Sequence, residues 1–251
     1  MKVNLKDVTF LIPVKVDSVI RIENLLATVN YIIKNFNTNI IVTEIAKYNN
    51  HILGKVLNRN INYIFVEDKD PIFHRTKYLN RFANEVETPF IAIWDADVII
   101  DKRQIMDAVF KLRKDEADIA YPYDGRFYDT SPIIRDLFLI KQRISILHKY
   151  ANRMFLPYGS NHKGGAFIAN TKKYRIAGME NENFYGWGPE DFERYERWYN
   201  MGFMISFITG GLYHLTHPRD INGKFNSKRQ MQITTAELEK TRKSSSEELI
   251  K

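Results

Sequence analysis

The chain contains no cysteine. Disulfides are therefore excluded, and so is any thiolate metal centre. A long hydrophobic run is missing as well. The N-terminal stretch MKVNLKDVTFLIPV is interrupted by Pro13 and Lys15 before it reaches signal-peptide length, and no later window approaches a membrane span. These absences point to a cytoplasmic protein, with peripheral contact at the inner face of a membrane as the remaining membrane association. No internal repeat and no linker-like segment breaks the chain. One domain over residues 1–223 is expected, with a polar, basic tail or loose helix over 224–251.

The 251 residues are long enough to bury a substantial core. The formal charge of +7 favours anionic partners: nucleotide phosphates, nucleic acid or an acidic membrane surface. Aromatics make up 13% of the chain, enough to line a carbohydrate or base-binding cleft as well as to fill a core.

Hydrophobic periodicity predicts a strand over Val8–Pro13, then a helix capped by Asp17 or Ser18. Strands follow at Ile40–Thr43 and Ile61–Val66, a helix at Arg75–Val86 and a strand at Phe90–Trp94. Further helices are expected from about Lys102 to Lys114 and, as one long element, from Pro132 to Tyr150, with a short strand near Ile119 between them. Gly178 and Gly202 read as helix C-terminal stops. This alternation predicts an α/β fold with a mostly parallel central sheet flanked by helices, and ligands at the carboxyl ends of its strands.

Four motifs carry chemistry. In Trp94-Asp95-Ala96-Asp97, two carboxylates at a strand end suit a hard divalent cation with its nucleotide, although such a triplet alone also fits a solvated turn. In Gly186-Trp187-Gly188-Pro189-Glu190-Asp191, a tight loop presents an indole face for a sugar, and two acids open the next helix. Helix capping accounts for one of those acids but not for the tryptophan. His214-Leu215-Thr216-His217 places two of the six histidines within four residues, at a loop or strand end, as imidazole ligands for Mn²⁺. In Phe73-His74-Arg75-Thr76-Lys77, cations open a helix against its dipole, which suits either a diphosphate or a solvated basic face.

Together and in this order, these motifs resemble the GT-A glycosyltransferases, and among them the beta-1,4-galactosyltransferase type. The stretches that carry the resemblance are FLIPVK, IFHRTKYLNRF, IWDADVII, KGGAFIANTKKYRIAG, FYGWGPEDFE and YHLTHPRD, spanning about Val8 to Asp220. The resemblance implies the GT-A, nucleotide-diphospho-sugar transferase fold. It implies that Pro13 and Phe73 contact the uridine end of a UDP-sugar, that Arg75 approaches the nucleotide, and that Asp95 approaches the ribose or sugar. Lys15, Lys77, Gly165 and Trp187 join this donor-binding set. Asp97 and His217 would ligate Mn²⁺ (or Mg²⁺), with His214 where the family carries a methionine ligand. Glu190 would hold the acceptor sugar beside Trp187, and Asp191 would take the proton from its attacking hydroxyl. Lys15 and Asp17 stand where the family has arginines. His162 replaces the aromatic residue that screens galactose from N-acetylgalactosamine.

The activity so implied is a metal-dependent, inverting transfer of galactose or N-acetylgalactosamine from UDP to a sugar acceptor. A glycan or lipid-linked acceptor in surface polysaccharide synthesis is expected. The basic residues Lys224, Lys228, Arg229, Lys240, Arg242 and Lys243 are candidates for contact with an anionic membrane. Two alternatives fit the sequence less well. A sugar-nucleotide nucleotidyltransferase would want a glycine-rich loop after the first strand, and IPVKVDS has no glycine. A non-catalytic nucleic-acid or glycan-binding module would want clustered basic residues, and here they are scattered, so no nucleic-acid partner is expected.

Overall fold

A computed structural model describes residues 1–219 and 221–249. Asp220, the last residue of the YHLTHPRD stretch, and the two final residues of the tail lie outside the described residues.

The first strand, β1 (Val3–Val14), is buried at every position from Val8 onward. Its near-continuous apolar run is what a strand covered on both faces requires. Ser18 caps α1 (Val19–Asn35) by accepting a hydrogen bond from the Arg21 N–H. The chain continues through β2 (Phe36–Ala46), α2 (Ile52–Val56), β3 (Asn62–Glu67), α3 (Arg75–Ala83) and β4 (Phe90–Trp94). After a tight turn come β5 (Val98–Ile100), α4 (Lys102–Arg113), β6 (Ile119–Tyr121) and β7 (Phe127–Asp129). The second half supplies α5 (Pro132–Lys141), α6 (Ile144–Tyr150), β8 (Ala166–Asn170), α7 (Thr171–Ile176), α8 (Glu190–Asn200), β9 (Ile205–Phe207), β10 (Leu212–His214) and α9 (Lys228–Lys243). Gly178 and Gly202, both at positive φ, follow α7 and α8 as the sequence predicts.

The main sheet has the order β3-β2-β1-β4-β8-β6-β9. Its pairings are parallel except those that β8 makes with β4 and β6. That reversal has a use. Trp94 at the carboxyl end of β4 pairs with Ala166 at the start of β8, so Gly164 and Gly165 arrive beside the Asp95–Asp97 turn. A smaller sheet, β5-β10-β7, closes the same end. Val98 pairs with His214, and His214 pairs with Asp129.

Two expectations change. The single helix expected over Pro132–Tyr150 is broken at Gln142, which adopts a left-handed conformation (φ 47°). Leu147 lies nine residues beyond Phe138, so in one unbroken helix the two would point about 180° apart. The break lets Ile134, Phe138 and Leu147 join one apolar cluster with Ile99, Tyr213 and Leu215. The stretch expected as a polar tail or loose helix contains α9, capped by Ser227 and seated on α8 through Thr234, Leu238 and Thr241. The Thr241 hydroxyl donates to Glu193 at 2.9 Å.

Candidate active site

A cavity opens at the carboxyl ends of β1 and β4, and it gathers the motifs from distant parts of the chain. Of the residues singled out from the sequence, Pro13, Lys15, Phe73, Arg75, Asp95, Asp97, Gly165, Trp187, Glu190, Asp191, His214 and His217 all line it. Lys77 does not. It is exposed on α3 and lies two residues from Arg75, which puts it on the far side of the helix.

At one end, Asp97 is buried between two imidazoles. The His217 Nε2 lies 3.1 Å from its Oδ2, and the His214 Nε2 lies 3.7 Å from its Oδ1. The strand register explains this meeting: Val98 pairs with His214, and the Leu215 N–H donates to the Asp97 carbonyl at 2.7 Å. Each imidazole has an oxygen acceptor at Nδ1, the Asp129 carboxylate for His214 and the Pro218 carbonyl for His217, both at 2.8 Å. With Nδ1 so occupied, each imidazole turns its Nε2 toward Asp97, where a divalent ion would take the nitrogen lone pair in place of a proton. One carboxylate and two imidazoles, with ligand atoms within 4.8 Å of one another, can hold a divalent ion such as Mn²⁺. Burial opposes the charge on Asp97, but the facing His214, His217 and Arg21 outweigh it and hold its carboxyl well below the usual range.

Arg21 was not anticipated. It reaches from α1 to within 3.6 Å of Asp97 and is tethered to Asp17 at 3.1 Å. The only trace of it in the sequence is the i,i+4 spacing of Asp17 and Arg21. Lys15, by contrast, spends its ammonium group on the carbonyls of Asp70 and Pro71, at 2.6 and 2.8 Å. The cation beside Asp97 therefore comes from α1 rather than from the segment after the strand-end proline.

In the middle of the cavity, Arg75 donates to Asp95 at 2.7 Å. The Phe73 N–H donates to the Asn222 side chain at 2.8 Å, which fixes the loop carrying that aromatic ring. His162 stacks on Tyr158 with ring centres 4.5 Å apart and meets the edge of Phe127 at 4.7 Å. Burial lowers its imidazole to about 4, so it is neutral near pH 7.

At the other end, Glu190 and Asp191 open α8, and the half-buried Trp187 packs edge-on against Phe225. Pro189 occupies the N-cap. The Asp191 Oδ1 accepts from Arg194 at 2.7 Å, and Arg194 in turn donates to the buried Glu180 at 2.8 Å. A β-carbon added at Gly164 would collide with the Asp191 Oδ2, so that glycine is what gives the second oxygen its place. Gly165 adds a positive φ of 84° and accepts from the Asp95 N–H at 2.9 Å.

Burial and the neighbouring Asp191 push the Glu190 carboxyl up to about 8. Burial also acts on Asp191, but Arg194, Arg75 and His162 outweigh it and lower its carboxyl. Adjacent carboxyls so divided leave one protonated and one ionised near pH 7. The Arg75 Nη1, the His162 Nδ1 and the Glu190 Oε2 are buried without a hydrogen-bond partner among the described residues. Buried polar atoms are seldom left so, and these three belong to residues that line the cavity, available to a bound molecule.

Arg194 and Asp129 also escaped the sequence reading. Arg194 reads as one more cation on an amphipathic helix, and Asp129 as one more acid before a helix cap. Only the fold gives them their partners.

Residues 146–219 match the sequence model of a family described as "N-terminal domain of galactosyltransferase". The matched segment is less than a third of the chain, and it contains the Gly164-Gly165, Trp187 to Asp191 and His214 to His217 motifs. No curated protein sequence matches the chain. Among solved structures, the chain resembles glucosyl-3-phosphoglycerate synthase from Mycobacterium tuberculosis, in complex with Mn²⁺, UDP and phosphoglyceric acid. That comparison gives a TM-score of 0.53 at 10% identity, over 84% of this chain and 71% of that one. It resembles S. aureus TarS 1–349 with a TM-score of 0.55 at 13% identity, over 85% and 60% of the two chains. It resembles GalNAc-T7 with UDP, GalNAc and Mn²⁺, with a TM-score of 0.62 at 12% identity, over 92% of this chain and 47% of that one. The chain thus has the GT-A glycosyltransferase fold, and it spans about half to seven-tenths of the length of these neighbours.

Proposed function

We propose that this chain, a glycosyltransferase by its fold and by its matched segment, moves galactose or N-acetylgalactosamine from a UDP-sugar to a sugar acceptor with inversion at the anomeric carbon. The observation that supports this most directly is the placement of the Asp97–His214–His217 group and the Glu190–Asp191 pair in one cavity.

Asp97, His214 and His217 would hold Mn²⁺, with both Nε2 atoms turned toward Asp97 and the ion replacing the proton there. The ion, when bound, neutralises charge on the leaving diphosphate. Arg21 and Arg75 add positive charge along the same side. Phe73 and Pro13 form the base-binding end, and Trp187 offers its face to a sugar. Asp191, ionised and held by Arg194, takes the proton from the acceptor hydroxyl through its Oδ2 as that oxygen bonds to the anomeric carbon. The bond from that carbon to the diphosphate oxygen breaks, and the electron pair leaves with UDP. Glu190, protonated, donates a hydrogen bond to the acceptor. No second carboxylate is assigned as a nucleophile, so a single displacement inverts the configuration.

The structural neighbours support the donor class, since two of them are described with UDP and Mn²⁺. His162 stands where, by the resemblance, the residue that screens galactose from N-acetylgalactosamine would be, so both donors are tested. A cytoplasmic site at the inner face of a membrane and a glycan or lipid-linked acceptor belong to the same proposal. The test is UDP release from UDP-galactose and UDP-N-acetylgalactosamine, with and without Mn²⁺, followed by proton NMR of the product. Mn²⁺-dependent release with inverted anomeric configuration is expected. Release unaffected by chelation, or retained configuration, contradicts it.

A further inference from the structure

The α5–α6 hairpin takes no part in the chemistry above. Its inner face is well used: Ile134, Phe138 and Leu147 are buried, and Arg135 ties α5 to Asn24 and Glu23 on α1 at 2.8 and 2.6 Å. Its outer face is the anomaly. Ile133, Leu137 and Ile140 are 73%, 36% and 73% exposed. At i, i+4 and i+7 they fall within about 60° of one another round the helix. Phe155, shortly after α6, is 69% exposed. Single exposed apolar residues are ordinary, whereas an aligned stripe marks an interaction surface.

The charge on the same hairpin is mostly positive. Lys141, Arg143, Lys149 and Arg153 are all exposed. The one acid between 132 and 155, Asp136, is already paired with Arg135 at 2.7 Å. Lys141 stands one residue from the end of the apolar stripe. An apolar helix face with four exposed cations around it and a single acid, itself bonded to Arg135, is the make-up of a helix lying in a lipid interface, with its stripe at the acyl boundary and its cations on headgroup phosphates.

We propose that the α5–α6 hairpin docks this protein on an anionic phospholipid surface. The C-terminal helix is a poorer candidate, because Arg242 there is engaged by Glu239 at 2.8 Å and Glu196 at 3.5 Å, and Glu237 and Glu239 interrupt its cations. The hairpin also adjoins the cavity. Phe155 forms a backbone bridge with Asp129, the residue that holds His214, and Tyr158, three residues on, lines the cavity wall. Docking here brings the cavity mouth close to the lipid headgroups. The docking itself does not rest on the transfer reading; the benefit to a lipid-linked acceptor does.

Co-sedimentation of the full chain with vesicles tests it, with phosphatidylglycerol–phosphatidylcholine mixtures set against pure phosphatidylcholine. The chain is expected to bind the anionic vesicles and to be released by salt, since attraction to charged headgroups is screened. Ile133→Ser with Ile140→Ser should lower binding at least tenfold without shifting the melting temperature. Lys141→Ala with Arg143→Ala should lower it roughly 25-fold, from about fivefold per cation. Lys240→Ala with Lys243→Ala should leave it intact. UDP release to a soluble acceptor is a separate readout, so failure of docking and failure of the transferase reading are distinguishable. A wild-type chain that stays in the supernatant overturns the proposal. So does binding that survives the double serine change or is lost only with the C-terminal pair. A dimer in sedimentation velocity that dissociates with the serine pair would show the stripe to be a self-association face, and would equally overturn it.

Discussion

The two ends of the cavity handle buried carboxylates in opposite ways. At the end that could hold a metal, Asp97 keeps its charge because His214, His217 and Arg21 face it. At the acid end, two adjacent carboxyls cannot both ionise at low cost, so Arg194 stabilises charge on Asp191 and Glu190 retains its proton. On the proposed function, one end binds the ion and the other moves a proton. The supporting residues differ accordingly: Asp129 bonds the Nδ1 of His214, whereas Arg194, itself held by Glu180, favours the ionised form of Asp191.

This contrast gives a graded set of expected outcomes. The largest concerns the base. Asp191→Asn should lower kcat by about 10²–10⁴-fold, the usual contribution of general base catalysis, and leave UDP affinity nearly unchanged in titration calorimetry. A comparable loss of UDP affinity would erase the division between the two ends. Next comes the orienting acid. Asp129→Asn should weaken Mn²⁺ binding by roughly 10–100-fold, read as a raised Mn²⁺ requirement, with kcat at saturating metal little changed.

A smaller effect, but one with a distinctive signature, belongs to Glu190. Its carboxyl in the folded protein is raised from the ordinary 4.5 to about 8. The stability contributed by its neutral form is therefore complete below about pH 4.5 and is lost as pH rises through about 8. The wild type should lose stability over that interval, and Glu190→Gln should lose less. If the Glu190 proton donates to the acceptor, the fall in kcat/KM near pH 8 should also disappear in Glu190→Gln. An alkaline limb that survives in the variant assigns it to another group. The smallest effect is the control: Lys77→Ala, on the outer side of α3, should change KM for the donor by less than about twofold.

Much of the fold could be read from local pattern. The all-buried run Val8–Val14, the Ser18 cap and the strand Phe90–Trp94 follow from residue periodicity and capping chemistry, which act over a few residues. The break at Gln142 could not be read, because no glycine or proline marks it. It is set by where Leu147 must point to reach a cluster built from α1, β5 and β10. The site was legible to the extent that its residues sit in short distinctive motifs. Arg21, Asp129 and Arg194 carry no such motif, and each is defined by a partner from another element or by burial against one.

Taken alone, then, the sequence determined the identity of the donor groups: two carboxylates at a strand end, two imidazoles within four residues, and an acid pair after a glycine-flanked tryptophan. Tertiary structure alone decided which of them meet and in which protonation state. The reversed strand β8 and the pairing of Val98 with His214 bring residues more than a hundred positions apart into one cavity. Burial there then turns ordinary side-chain acidities into a division between ionised and neutral groups, because charge in a low-dielectric interior persists only where an opposite charge faces it.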